Sequence, residues 1–425
     1  MPAITGRPGK MRPPPAAHFA HNLPNAAFFL AEFPLLLFLV FIVLITGLQL
    51  FHRRLLHKIL PPGYDRWVTP GLLLVHVPLA IHLLLRLTGH SGSAPWLLPF
   101  AHLGLYFQMF TVLALIAEGL SVAAWRLSHL YRQGPGTPPE NPSRRKFLRK
   151  TTAAGAGLAA YGAVHGARLA QSDPEITRLQ LPFPDLPAGL DGLRMVQISD
   201  LHVGPMVSLE LASRWRRAAE AERPELLLIT GDLVDSRPEE IKDFVTAFQG
   251  FKPPLGTFAI LGNHDYFTDP RPIWAAMEAM GITMLENRSA LVDRKGSQLA
   301  LVGIQDPMAR HGHFRDIRYG PGPDPAAAVQ GLPDGAWRLC LSHRPSDWHL
   351  ARKTKALLTL SGHTHGGQVN LIPGLSSALL LGPYAAGLYR HQQQLLYVNR
   401  GLGVVGLPVR FGAPPEITVI TLRRG

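Results

Sequence analysis

The stretch Ser361-Gly362-His363-Thr364-His365-Gly366-Gly367-Gln368 sets two histidines, flanked by glycines, directly after the apolar run Ala356 to Leu360. Two imidazoles delivered together at the end of a strand-like run suit a metal cluster. Four further polar clusters stand in the same relation to apolar sequence. Asp200-Leu-His202 follows Leu193 to Ile198, Gly231-Asp232-Leu-Val-Asp235 follows Leu226 to Ile229, Gly262-Asn263-His264-Asp265 follows Phe258 to Leu261, and Ser342-His343 follows Leu339 to Leu341. Short apolar runs bounded by Gly, Asp and Ser read as buried strands. In layered α/β folds ligands collect beyond the carboxyl ends of such strands, so five runs point to one site.

The ligand types narrow the chemistry. Carboxylate, imidazole and amide oxygen together suit Mn, Fe or Zn, whereas an all-oxygen set favours Mg or Ca. Two such ions can share a carboxylate and a water, lower the pKa of that water and clamp a phosphate. Phosphoester hydrolysis is the reaction to expect.

The order Asp-x-His, Gly-Asp-x-x-Asp, Gly-Asn-His-Asp, His, Gly-His-x-His resembles that of the calcineurin-like metallophosphoesterases. The resemblance covers residues 190–425, and its tail, Asn399-Arg-Gly-Leu-Gly403 through Pro414-Pro-Glu-Ile417, is similar to the bacterial membrane-associated or twin-arginine-exported branch. It implies a two-sheet sandwich flanked by helices and two divalent metal ions. Asp200, His202 and His365 would bind the first, Asn263, His343 and His363 the second, and Asp232 would bridge them. It also implies catalytic roles for His264, protonating the leaving oxygen, and Asp265, orienting His264, with a metal-bridged hydroxide as nucleophile. Asp235 reads as a structural carboxylate outside the ligand set.

Between the strand-like runs, Leu209 to Glu222, Pro238 to Phe248 and Pro272 to Met280 have helical spacing, which makes the domain α/β. The single cysteine, Cys340, lies within a strand-like run and reads as buried packing. His311 and His313 lie in a polar, Gly-rich stretch with no strand before it and read as a solvated loop.

The apolar excess lies in the first 170 of the 425 residues. Phe33 to Phe51, Gly71 to Leu87 and Trp96 to Trp125 are each long enough for a membrane span. The expected organisation is a basic Pro-rich tail (1–32), three transmembrane helices (33–127), a basic linker with a fourth span (128–171) and the metallophosphoesterase domain (172–425). Arg53, Arg54, Lys58 and Arg66 follow the first run, and Arg126 through Lys150 follow the third, so the positive-inside rule puts both loops in the cytoplasm. Ser143-Arg144-Arg145-Lys146-Phe147-Leu148 before the small-residue run Thr151 to Ala170 resembles a twin-arginine export signal, which implies the translocation machinery as a partner. The expected location is a bacterial inner membrane, with the catalytic domain outside and a cytoplasmic domain as the alternative.

The formal net charge of +13 belongs in good part to these loops. A membrane-proximal basic surface would draw in phosphorylated small-molecule or lipid substrates, and no nucleic-acid module is present. Two functions follow: a membrane-anchored phosphoesterase acting on a monoester, diester or pyrophosphate bond, or a metal-binding membrane scaffold with little turnover.

Overall fold

The computed structural model describes residues 161–162, 164–310, 318–370, 375–380 and 382–425, with isolated helical positions at 50, 53, 70, 77 and 81. Residues 1–95 and 96–425 form two compact units, and both sheets belong to the second. Among the described residues no helix is long and apolar enough to cross a membrane. Apart from those isolated positions, the three expected spans lie outside those residues, as do the Arg144-Arg145 segment, the expected fourth span up to residue 160 and the pair His311 and His313.

Among the described residues, twelve strands form two sheets of six. The first runs, in spatial order, β1 (Glu175–Phe183), β12 (Glu416–Arg424), β2 (Arg194–Ile198), β3 (Leu226–Thr230), β4 (Thr257–Ile260) and β5 (Thr283–Met284). The second runs β10 (Gly387–His391), β11 (Gln394–Val398), β9 (Leu358–Ser361), β8 (Trp337–Ser342), β7 (Ser297–Ile304) and β6 (Arg288–Arg294). Strands β2 to β5 pair in parallel, as do β11, β9, β8 and β7, while β12 meets β2 antiparallel.

Alternation along the strands explains why they read as unbroken apolar runs. In β3, Leu226 and Leu228 enter the core between the sheets, where they meet Leu339, Leu341, Leu358 and Leu360 from the second sheet. Leu227 and Ile229 point the other way, onto α1 (Leu209–Ala221), α2 (Ile241–Phe248) and, further along, α4 (Pro270–Ala279), the short α3 (Asn263–Phe267) lying before it. In β8, Cys340 turns outward to Ala328 of α5 (Pro325–Ala328) and Trp348 of α6 (Trp348–Ala351). A parallel strand covered on both faces has no polar face to show. The result is helix, sheet, sheet, helix, the expected sandwich.

The expected helices are present with shifted ends. The 238–248 segment opens as a 3₁₀ turn, Pro238–Glu240, before α2. The α4 start lies at Pro270, where Asp269 accepts a hydrogen bond from the Arg271 amide as N-cap. Cys340 is fully buried, as packing requires, and burial raises its thiol to about 12.

Leu360 lies in the inter-sheet core one residue before the end of β9. Leu360→Ala is expected to cost about 2–5 kcal/mol through lost burial and a residual cavity. A lower melting temperature by tryptophan fluorescence checks this, and an unchanged melt would contradict the packing of the two sheets.

Candidate metal centre

Each of five parallel strands ends at the same edge and hands over one polar cluster. Asp200 and His202 follow β2, Asp232 follows β3, Asn263 and His264 follow β4, His343 follows β8, and His363 and His365 follow β9. The backbone stitches these ends together: the Asp200 amide donates to Gly231 O at 3.0 Å, the His202 amide to Asp232 O at 3.1 Å, and the Gly362 amide to His343 O at 3.0 Å.

The donor atoms converge in three overlapping groups, within each of which they lie inside 4.8 Å of one another: Asp200, His202 and His365; His202, Asp232 and His264; Asp232, His343 and His363. Asn263 joins the last, its Oδ1 lying 3.2 Å from His343 Nε2. These seven residues therefore lie in one cluster, with Asp232 between its two halves. His264 stands at its edge.

Five of the seven adopt left-handed backbone conformations: Asp200 (φ 51°), His202 (φ 47°), Asp232 (φ 53°), His363 (φ 72°) and His365 (φ 51°). For a residue with a Cβ this costs about 1–2 kcal/mol each. The surrounding structure holds them there. Both Asp200 carboxylate oxygens accept from the His363 amide, at 2.9 and 3.0 Å, and Asp232 Oδ1 accepts from the His264 amide at 2.8 Å. Such strain clusters where geometry has been selected for function.

The electrostatics are those of a site short of positive charge. Burial raises the Asp200 carboxyl to about 6, with the neighbouring Asp232 adding to it. Burial would raise Asp232 as well, but the His343 ring at 3.3 Å and the other imidazoles hold it well below the usual carboxylate range. His343 is the counterpart: burial opposes its charged form, yet Asp232 lifts it to about 10. Burial drives His202 and His365 well below 6.5 and His363 to about 3, so these rings are neutral and offer lone pairs.

His264 and Asp265 are arranged differently from the expectation. Asp265 does not hold the His264 ring. Its Oδ1 accepts from the Leu233 and Val234 amides at 2.9 and 3.2 Å, and its Oδ2 from Gly262 at 2.9 Å. It fastens the turns that carry Asp232 and Asn263, and burial raises it to about 7. The His264 ring is held instead by the backbone carbonyl of Asp235, 2.7 Å from Nδ1. A carbonyl can only accept, so Nδ1 carries the proton and Nε2 is left free.

Sequence reasoning missed a further residue of the centre. Arg410 is completely buried, and its guanidinium donates to the carbonyls of Gly401, Gly403, Arg400 and Ala413 and to His365 Nδ1 at 3.3 Å. It gathers the loop between β11 and β12 against the first half of the cluster. A lone arginine in a Pro- and Gly-rich stretch carries no local signal of this.

With this geometry, the comparisons with known proteins become decisive. The family model for calcineurin-like phosphoesterases matches residues 193–367, the part that contains all seven converging residues. A Bacillus subtilis protein described as the uncharacterized metallophosphoesterase YkuE is 30% identical over 66% of this chain and 98% of its own length. The chain belongs to the calcineurin-like metallophosphoesterase family. A Danio rerio protein described as a transmembrane protein with metallophosphoesterase domain is 35% identical over 63% of this chain, and the match spans 60% of that protein's length. A solved dimetal phosphatase from Danio rerio aligns with a TM-score of 0.31 and 12% identity, over 50% of this chain and 88% of its own. Calcineurin-like metallophosphoesterases use divalent cations, and the cluster fits them. His202 Nε2 and His365 Nε2 face each other at 3.1 Å, with Asp200 Oδ1 3.6 Å from the latter and Asp232 Oδ2 3.5 Å from the former. Imidazole nitrogens and carboxylate oxygens set this close together form a donor set that suits a divalent cation.

The loop after β11 packs on Asp200 so closely that a Cβ at Gly401 (φ 70°) would lie 2.7 Å from Asp200 Cβ. Gly406 has the same φ of 70° but nothing within 4 Å of its virtual Cβ. Both alanine variants bear the left-handed penalty of about 1 kcal/mol, and Gly401→Ala adds an overpacking cost of about 1–3 kcal/mol. The melting temperature should fall distinctly further for Gly401→Ala; equal shifts would refute close packing at Asp200.

Proposed function

We propose that this protein is a membrane-anchored, dinuclear metal-dependent phosphoesterase. Asp200, His202 and His365 would hold one divalent cation and Asn263, His343 and His363 another, with Asp232 within reach of each, and Mn, Fe or Zn would match the mixed nitrogen and oxygen donors. Bound there, such cations supply Lewis acidity at phosphoryl oxygens and a water of lowered pKa. The observation that carries this reading is the convergence of these seven residues, from five strand ends, on one buried cluster.

The remaining roles belong to the chain itself. Asp232 stays ionised because imidazoles surround it, which keeps its oxygens available as ligands. Asp265 pins the backbone of the two turns that present Asp232 and Asn263. His264, its Nδ1–H held by the Asp235 carbonyl, can pass a proton from Nε2 to the departing oxygen once Nε2 is itself protonated. A proton donor so positioned favours turnover over a purely scaffolding role. The substrate class is a phosphorylated small molecule or a lipid.

The reading includes a location. The three apolar runs of residues 33–127 and the basic loops after the first and third support a multi-pass anchor in a bacterial inner membrane. Arg144-Arg145, followed by a small-residue run, supports export of the folded domain by the twin-arginine translocation machinery.

Two measurements test these statements. The full chain loaded with Mn should hydrolyse bis(para-nitrophenyl) phosphate, stop on chelation, and lose about 100-fold or more in kcat with His264→Ala and with Asp232→Asn; full activity in both variants would sink the mechanism. For topology, a β-lactamase fused after Gly425 should confer resistance that disappears when Arg144 and Arg145 both become Lys. Resistance that survives the double substitution would rule out twin-arginine export.

A further inference from the structure

The helical segment 164–170 ends directly before the catalytic domain, and it docks on the loop that grips the metal centre. The Arg410 amide donates to Gly166 O at 2.9 Å, and the His165 ring meets Phe411 edge-on at 6.4 Å. From Phe411 the contacts continue inward. The Phe411 amide donates to Gln368 O at 2.7 Å and the Asn370 amide to Phe411 O at 2.8 Å. The segment after His365 is tied back in turn: Asn370 Nδ2 and Ser376 Oγ donate to Gly366 O at 2.9 and 2.8 Å, and Ser377 Oγ donates to Gly367 O at 2.5 Å. One hydrogen-bonded series thus joins the helix, the Arg410 loop and the residues beyond His365.

Apolar side chains stand exposed along this series. On the helix they are Tyr161 (67% exposed) and Val164 (54%), and beside the anchored serines they are Leu375 (52%) and Leu379 (45%). Leu291 of β6 and Leu388 of β10 are also exposed, at 44% and 46%, but these four stand on the segments that the hydrogen-bonded series joins to the Arg410 loop and to Gly366 and Gly367. Tyr161 also stacks on His165 at 5.8 Å, an amphipathic aromatic pair suited to a headgroup region.

The chain outside the described residues says what covers these side chains. Immediately upstream of the helix lie the small-residue run from Thr151, the basic group Arg144, Arg145, Lys146, Arg149 and Lys150, and before them three apolar runs of membrane length. If those runs anchor the chain in a bilayer, the domain begins beside it, since residue 166 already touches the loop of Arg410. We propose that the face bearing Tyr161, Val164, Leu375 and Leu379 rests on the lipid bilayer, and that the metal centre acts on a phosphoester in the headgroup of a lipid of that bilayer. This rests on the phosphoesterase reading above and names its substrate class. In the reaction the oxygen of water bonds to phosphorus, the P–O bond to the leaving group breaks, and the leaving oxygen takes up a proton.

The test uses the full chain in nanodiscs of phosphatidylethanolamine and phosphatidylglycerol. Because the one native thiol, Cys340, is buried, an environment-sensitive fluorophore can be placed selectively at Leu375→Cys or, as control, at Leu291→Cys, an exposed leucine of β6. Doxyl-labelled lipids should quench the probe at 375 about twofold more than at 291. In parallel, kcat/KM for dodecyl para-nitrophenyl phosphate should exceed that for the methyl ester about tenfold, and the double variant Leu375→Asp, Leu379→Asp should lose that preference while hydrolysing the methyl ester at the parental rate. Equal quenching at both positions, or a dodecyl preference that survives the double variant, overturns the proposal. Failure to hydrolyse either ester overturns the phosphoesterase reading and the lipid substrate with it, while the quenching comparison independently decides the membrane contact.

Discussion

The carboxylate of Asp232 lies between the two halves of the donor cluster, almost free of solvent, with His343 3.3 Å and His202 3.5 Å from its Oδ2 and the His264 amide on its Oδ1. A buried charge of this kind costs several kcal/mol unless opposite charge and hydrogen bonds accompany it. The structure around it supplies both. Imidazoles from β2 and β8 approach from two sides, and Asp265 stiffens the turn from which Asp232 projects.

That arrangement depends in turn on the layered core. Strands covered on both faces have little freedom to shift, since a slip of one residue would exchange their two apolar faces. Their carboxyl ends are therefore fixed relative to one another across two sheets, and the left-handed residues at those ends are held by neighbours rather than by local preference. The C-terminal strand completes the frame. By inserting between β1 and β2, β12 draws the loop 399–415 over Asp200, where the Leu402 and Gly403 amides bond Ser199 O and Asp200 O, and Arg410 closes it.

Much of this was legible beforehand because the information was local. Five apolar runs ending in Asp, Asn or His announced β2, β3, β4, β8 and β9, and the observed strands agree with them to within a few residues. Strands β1, β5, β6, β7, β10, β11 and β12 went unread. Several are half exposed, with charged residues such as those of Arg288–Arg294, so their identity depends on partners distant in sequence. The relation of Asp265 to His264 was misjudged for a similar reason: adjacency suggested contact, whereas the Asp265 carboxylate turns back onto three amides and the His264 ring turns to the Asp235 carbonyl. A backbone carbonyl carries no signature in a residue type.

By itself, the sequence determined which donors the protein owns, their order along the chain and the family to which that order belongs, because metal chemistry needs particular side chains and short apolar runs can present them only at their ends. The tertiary structure decided which donors meet. It set His363 beside His343 and Asp232 but His365 beside Asp200 and His202, although the two histidines are separated by a single residue. It also recruited Arg410, 45 positions beyond His365, to the same cluster. The reason is physical: a ligand set is a matter of distances of a few ångströms, and those are fixed by how two sheets and a return loop pack, which no short stretch of sequence contains.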